Sequence, residues 1–431
     1  MSESGPPSRL RVGLLGCGTV GTEVVRLLLA HAEELSQRAG VRLELSGIAV
    51  RSLETERDPV VPRELLTTDA EAVVAGSDVV VELLAGVQPA RDLLARAVAA
   101  GTTVVSGNKA VLATSGPELY EAAEAAGAGV FFEAAVAGAV PVVRGIRESL
   151  AGDRITRVLG IVNGTTNFIL DEMTREGSDF ADVLTRAQEL GYAEADPTAD
   201  VGGHDAAAKA AILASLAFHS RVAQADVPVT GITDITPDDI EAAAAMGYTI
   251  KLLAIAERGD GGLAVRVHPA LVAHDHPLAG VHGAYNAVVV DAEAAGTLMF
   301  YGAGAGGRPT ASAVLGDLVS AARLRTSGAR PPVESRYAAL PVVDPATVST
   351  RYLVRLDVAD RPGVLADIAR AFAAHDVSVE KLRQVVTREG AAGLVLVTHR
   401  QTEAALAAAV ADIAELDPVH RVTSVLRVEG S

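Results

Sequence analysis

The sequence predicts an α/β fold: a doubly wound, mostly parallel sheet first, a region of mixed strands and helices next, and a small C-terminal unit. Three observations carry this. Short apolar runs alternate with helical stretches from residue 10 to about 140. The rhythm changes near residue 145, and residues 326–349 (TSGARPPVESRYAALPVVDPATVS) are Pro-rich and aperiodic, as a linker is. Beyond them, 351–428 repeats a strand–helix–strand–strand–helix–strand pattern of its own.

The elements follow in order. LRVGLL (10–15) is a short apolar strand, GCGTVG a turn, and TEVVRLLLAHAEEL a helix. LELSGIAVRS reads as a strand, DVVVELLAG as a buried strand bounded by turns, and QPARDLLARAVAAG as a helix leading into TTVVSGNKA. AAEAAGAGVFFEAAVAG supplies a helix and another strand. After the change of rhythm, RITRVLGIVNGTTNFILDEM reads as strand, turn and helix, and a long helix is expected at 205–219. GAGAGGRPTASAVLGD (302–317) is a second Gly-rich loop opening a helix.

Composition bounds the function. The 431 residues exceed one ordinary core, so two or three domains are expected. A formal charge of −17 with no basic run disfavours nucleic acid and anionic membrane as partners. The single cysteine, Cys17, excludes an internal disulfide framework and suits a reducing, cytoplasmic setting. No apolar run reaches membrane-spanning length, and MSESGPPSRL lacks the basic start and apolar core of a signal peptide.

Gly16, Gly18 and Gly21 of G-C-G-T-V-G fit G-x-G-x-x-G directly after a strand and at a helix start. That context is what a dinucleotide site of the Rossmann type needs: a tight turn, close approach to a pyrophosphate, and helix N–H groups from Thr19 and Val20 onward. The second strand ends Ala49-Val50-Arg51-Ser52, with no acid to accept from the ribose hydroxyls. A guanidinium can fork onto a 2′-phosphate, so NADP(H) is preferred and NAD(H) possible; the competing reading of Arg51 is a solvated loop residue.

SGNKA (106–110), FFEAAVAGAVPVV (131–143), NGTTNFIL (163–170), GYAEADPTADVGGHDAAAKAA (191–211) and GAGAGGRPTASAV (302–314) together resemble homoserine dehydrogenase. Residues 351–428 resemble the ACT regulatory domain that many members append. The resemblance implies a Rossmann domain at 1–131 plus about 305–330, an α+β catalytic and dimerisation domain at 132–304, a linker at 331–349 and a βαββαβ ACT domain, ferredoxin-like, at 350–431. It implies NAD(P)H-dependent, reversible reduction of L-aspartate 4-semialdehyde to L-homoserine, on the route to threonine, methionine and isoleucine, in a homodimer or homotetramer.

A zwitterionic substrate needs carboxylates for its ammonium, donors for its carboxylate and a proton source at the aldehyde oxygen. Asp205 and Lys209 are four apart and share one face of a helix, and Glu194 and Asp200 precede it through a Pro/Gly-containing turn. By resemblance Glu194 and Asp205, with Asp200, hold the amino-acid end, and Lys209 donates the proton. Read without the resemblance, Asp205 and Lys209 are an exposed ion pair on a solvated helix. Lys109 follows a strand, at the edge where α/β sheets place ligands. The resemblance sets it near the nicotinamide and the carbonyl, leaving proton donation to be divided between Lys109 and Lys209.

The resemblance also implies cofactor contacts from Ser106, Gly191, Gly304, Gly306 and Gly307. It implies a monovalent cation, Na⁺ or K⁺, held by Glu133, Val136, Gly138 and Val140, a hard-oxygen set of one carboxylate and backbone carbonyls; otherwise Glu133 pairs locally. His204 is given no role. His268, His274, His276 and His282 match no zinc template and read as incidental histidines of a loop. Asp360, Pro362, Gly363 and Val364, before a helix, would hold the effector, implied to be threonine; the other reading of this domain is dimerisation alone. The alternative functions are an ACT-domain amino-acid sensor and another NAD(P)-linked oxidoreductase of a related amino-acid aldehyde.

Overall fold

The computed structural model of the chain describes residues 9–259, 261–388 and 391–430. The opening residues read above as no signal peptide lie, up to residue 8, outside the described residues. The chain divides into two compact units, one formed by the residues up to Val158 with Ala208–Ala225 and Asn286–Leu340, the other by Leu159–Ala207, Asp226–Tyr285 and the residues from Pro341.

The first unit holds a parallel sheet of β1 (Arg9–Leu15), β2 (Arg42–Ala49), β3 (Leu66–Thr67), β4 (Val79–Glu82), β5 (Thr103–Ser106) and β6 (Val130–Phe131). Their order is β3-β2-β1-β4-β5-β6, which reverses direction beside β1 and leaves a crevice at the carboxyl edge. Val79, Val80 and Val81 of β4 and Val104 and Val105 of β5 are wholly buried, which is why these strands are continuous apolar runs. The helices Thr19–Ala30 and Gly307–Ser327 share one core with them, through Val24, Val25, Leu28, Val314 and Leu318. The strand expected in AAEAAGAGVFFEAAVAG is short, Val130–Phe131 only, because a 3₁₀ turn begins at Glu133. This unit also contains β10 (Tyr285–Ala292) from Asn286 on and β11 (Gly296–Ala303), with β10 between β11 and β7 (Ile155–Ile161).

In the second unit β8 (Tyr248–Gly259) and β9 (Gly262–Ala273) form a long antiparallel hairpin. The presumed histidine loop is therefore half strand: His268 lies in β9, fully paired, because HPALVA continues its buried run. The C-terminal strands are β12 (Ser349–Ala359), β13 (Val379–Arg388), β14 (Ala391–Thr398), β15 (Gln401–Thr402) and β16 (Val419–Glu429). β16-β12-β14-β13 are antiparallel neighbours covered by helices Val364–Ala374 and Glu403–Ala414, the expected βαββαβ unit with β15 added. β16 also pairs in parallel with β9, Leu271 opposite Val428. The expected linker is partly docked: Leu263 N donates to Pro341 O (2.8 Å), and Val343 N to Leu263 O (2.8 Å).

Candidate active site

Gly16 takes φ +93 directly after β1, and its N–H donates to Ala49 O at 2.9 Å. A Cβ there would meet Leu83 O at 2.8 Å, and one on Gly21 would collide with Gly16 O. These two glycines are demanded by the fold. A Cβ on Gly18, by contrast, would meet nothing within 4 Å, so the space before the Thr19–Ala30 helix is open. The first N–H groups of that helix, from Thr19, Val20 and Gly21, have no intrahelical acceptor, and with the open face they fit a pyrophosphate.

The second glycine loop meets the first. A Cβ on Gly307 would lie 3.0 Å from Thr19 Cγ2 and 3.1 Å from Thr19 O. Gly306, at φ +117, caps the helix that Gly307 begins. Gly304 lies flat against the side chain of Asn286, with no room for a Cβ. An open cleft of about 550 Å³ runs between Thr19, Glu23, Arg26, Asp58 and Arg308. Arg51 is exposed just past β2. Ser106 is fully buried; its hydroxyl donates to Glu82 Oε2 at 2.6 Å and accepts from Asn108 N at 3.0 Å, so it faces the interior. Lys109, half-buried, is the first residue of the Lys109–Ala126 helix, which Asn108 caps by accepting from Val111 N at 3.2 Å.

Gly138 (φ +58) packs its Cα against Gly304, and Ala139 N donates to Ala303 O at 3.0 Å, so the presumed cation loop abuts the second glycine loop. Glu133 is 3% exposed. Its carboxylate accepts from Val143 N and Arg144 N, both at 2.9 Å, while its own N–H donates to Asp317 Oδ2 at 2.7 Å. Burial, reinforced by Asp317, pushes the Glu133 carboxyl up to about 7. Arg144 pairs with Asp317 at 2.8 Å and faces Glu133 at 3.6 Å. Val136 and Val140 are fully buried beside this pair of acids. Buried acid in excess of cation, with carbonyls turned by consecutive left-handed residues Ala137 and Gly138, is a donor set that fits a hard monovalent ion.

In the acid-rich stretch the carboxylates divide the work. Asp196 serves its own turn, accepting from Thr198 N (3.1 Å) and Thr198 Oγ1 (2.6 Å). Asp200 and Asp205 are brought together by one amide: Asn163 Nδ2 donates to Asp200 Oδ1 at 2.7 Å and to Asp205 Oδ2 at 2.9 Å. Asn163 is itself fixed as the cap of the Gly164–Glu176 helix, accepting from Thr166 N at 2.9 Å. Glu194 and Gly191 are exposed, and Gln188 holds the Glu194 carbonyl at 3.1 Å. The His204–Phe218 helix carries Asp205 and, one turn on, Lys209, only 7% and 9% exposed. A solvated ion pair is thereby excluded. His204, next to them, is exposed.

Sequence reasoning missed Asn163, although N-G-T-T before a helix is a capping signal. It also missed Lys251, a lone lysine in the apolar run YTIKLLAIAE. Lys251 is 2% exposed and donates to Val281 O (2.6 Å) and Asn167 Oδ1 (3.1 Å). Burial brings its ammonium down to about 8. Asp171 accepts from Gly283 N at 2.8 Å and faces His282 Nδ1 at 2.8 Å, tying down the same turn. In the C-terminal unit Asp360, Pro362 and Gly363 are exposed, Gly363 (φ +97) caps the Val364–Ala374 helix, and Val364 is buried.

Residues 16–133 match the family described as homoserine dehydrogenase, NAD binding domain, residues 141–319 match homoserine dehydrogenase, and residues 352–418 match the ACT domain. The homoserine dehydrogenase of Mycobacterium tuberculosis is 55% identical, covering 97% of this chain and 98% of the relative. The chain belongs to the homoserine dehydrogenase family. It is an NAD(P)-linked oxidoreductase with a C-terminal ACT domain. The homoserine dehydrogenase of Corynebacterium glutamicum is 52% identical over 99% of this chain and 97% of the relative. Among solved structures, a homoserine dehydrogenase from Thiobacillus denitrificans superposes with a TM-score of 0.92 at 43% identity, covering 98% of each chain. A hyperthermophilic archaeal homoserine dehydrogenase in complex with NADPH superposes with a TM-score of 0.63 at 27% identity, over 73% of this chain and 97% of that one. No helix among the described residues is long and apolar enough to cross a membrane.

Proposed function

We propose that the chain reduces L-aspartate 4-semialdehyde reversibly to L-homoserine, prefers NADPH to NADH, and is feedback-regulated by threonine through the ACT domain. The observation that carries this reading is the Asn163-bridged pair Asp200 and Asp205, with buried Lys209 one helical turn beyond Asp205.

The carboxylates receive the substrate ammonium, with Glu194 as the solvent-side member. Asp205 also orients Lys209. As negative charge grows on the aldehyde oxygen, Lys209 Nζ gives it a proton, and the reverse reaction returns that proton to the amine. Lys109, at a helix start on the carboxyl edge of β5, polarises the carbonyl or shares the proton transfer. Gly16–Gly21, Gly191 and the Gly304–Gly307 loop would hold the nucleotide, which when bound would supply the hydride for the aldehyde carbon. Arg51 is the group for a 2′-phosphate, and that supports NADPH. The Val136, Gly138 and Val140 carbonyls with Glu133 would hold Na⁺ or K⁺, which would brace the second glycine loop. Asp360, Pro362, Gly363 and Val364 hold the effector carboxylate at a helix start. The domain limits proposed are 1–131 plus about 305–330, 132–304, 331–349 and 350–431, in a cytoplasmic homodimer or homotetramer.

The test follows NADPH absorbance with L-aspartate 4-semialdehyde, with and without millimolar threonine, for wild type and Lys209→Ala. Turnover in wild type, with kcat about 10²–10⁴-fold lower in the variant, is expected. Wild-type protein that binds NADPH without turnover would sink the reading.

A further inference from the structure

Glu82 is the last residue of β4, wholly buried, and stands opposite Ser106 in the parallel ladder with β5. Its carboxylate faces two loops of the carboxyl edge at once. Oε2 accepts from Ser106 Oγ at 2.6 Å; Oε1 accepts from Leu84 N at 2.8 Å and from Asn108 Nδ2 at 3.3 Å. The Asn108 amide then reaches Leu84 O (3.1 Å) and Gly86 O (2.8 Å), and its backbone N–H donates to Ser106 Oγ (3.0 Å). Residues 83–86 and 106–108 are therefore clamped by one acidic group, and Lys109 is the next residue in the chain.

A fully buried carboxylate is an expensive strut in a sheet otherwise built of valines, and an uncharged pair of hydroxyls could close a turn with less desolvation. What the carboxylate provides is acceptor capacity: it takes three donors, Leu84 N from the loop after β4 and the Ser106 and Asn108 side chains immediately before Lys109. Burial raises its carboxyl above the ordinary range, in keeping with that cost.

We propose that Glu82 is a positioning residue for Lys109, acting through Ser106 and Asn108 to fix where the ammonium stands at the start of its helix. The proposal rests on the reading of Lys109 as part of the reaction centre. Glu82→Gln keeps the shape and removes one acceptor, so the clamp loosens while the sheet remains. Because displacement of a reacting group by about 1 Å can cost about 10²-fold, a ten- to hundredfold fall in kcat is expected.

The experiment is a double-mutant cycle in kcat with NADPH and L-aspartate 4-semialdehyde: wild type, Glu82→Gln, Lys109→Ala and the double variant, with thermal midpoints recorded for each. A lower kcat in Glu82→Gln at an unchanged midpoint, and no further loss when Lys109 is already alanine, supports the proposal. Wild-type kcat in Glu82→Gln, or the same fold-loss with and without Lys109, overturns it. Lys109→Ala with wild-type kcat removes the residue to be positioned, and the single variant alone reveals that case. Should Glu82→Gln fail to fold, Ser106→Ala removes the hydroxyl that links Glu82 to Asn108 N. It is read in the same cycle with the same two outcomes.

Discussion

Asn163 donates one amide nitrogen to two carboxylates, Asp200 at 2.7 Å and Asp205 at 2.9 Å. One uncharged amide thus holds Asp200 beside Asp205, in the first turn of the helix that carries Lys209. Asn163→Asp puts a third carboxylate there and removes the donors. We expect it to raise KM for the semialdehyde and lower kcat, with kcat/KM down at least about 10²-fold, since half-buried Asp200 and buried Asp205 lose a donor that they share. Unaltered steady-state constants would refute this.

The glycines of the first loop separate by purpose. Gly21→Ala must displace Gly16 O, so its denaturation midpoint should fall by the equivalent of about 1–3 kcal/mol. Gly18→Ala meets no protein atom and should fold as wild type yet bind NADPH more weakly. Paired urea melts and NADPH titrations distinguish the two; equal stability losses would contradict the assignment.

A monovalent ion at Glu133 should stabilise the protein at constant ionic strength. Replacing tetramethylammonium chloride by NaCl or KCl should raise the unfolding free energy by about 1.4 kcal/mol at ten times the ion's Kd. Glu133→Gln should reduce that response. Identical melts in all three salts would remove the ion from the account.

Lys251 gives a pH dependence of definite sign. Its folded pKa of about 8 lies below the ordinary 10.5, so below pH 8 both states hold the proton and the burial penalty is complete. Between pH 8 and 10.5 the unfolded chain keeps a proton that the folded one has released, and stability rises with pH, by about 1.4 kcal/mol per unit inside that window. Wild type should therefore gain on Lys251→Met between pH 8 and 10. A difference flat with pH would show that Lys251 stays protonated in the fold.

Glu429 behaves oppositely. Burial alone would push its carboxyl up, but His268 and Arg266 outweigh that and bring it down to about 2. Its contribution is whole above the ordinary 4.5 and is lost as pH falls through 2. Glu429→Gln leaves Arg266, itself 5% exposed, with Glu257 alone, and should cost about 3 kcal/mol at neutral pH in urea melts.

Much of this was legible in the chain. The glycine spacing after LRVGLL announced the nucleotide loop, and the alternation of Val-rich runs with helices announced the parallel sheet, because both are local patterns. The i, i+4 spacing of Asp205 and Lys209 was equally plain, but their burial was not. What was not legible is long-range. Asn163 lies 37 and 42 residues before the acids it joins, and Lys251 meets a turn 30 residues away. Periodicity reports which face is buried, never which distant polar group will meet another there. The histidine run HPALVAHDHP misled for the same reason: His268 is in a strand because its neighbours across the ladder make it so.

The parallel pairing of β16 with β9 changes what deletion of the C-terminal domain would mean. Ala270, Leu271 and Val272, all wholly buried, have Arg427, Val428 and Glu429 as ladder partners. Cutting the chain before β12 would strip that edge bare, strand Arg266 without Glu429, and offer an apolar ribbon to any other β-edge in solution. A shortened protein that clumps or loses activity would then report a broken sheet, and the proposed effector site is better tested through point changes around Gly363 than with a stop codon.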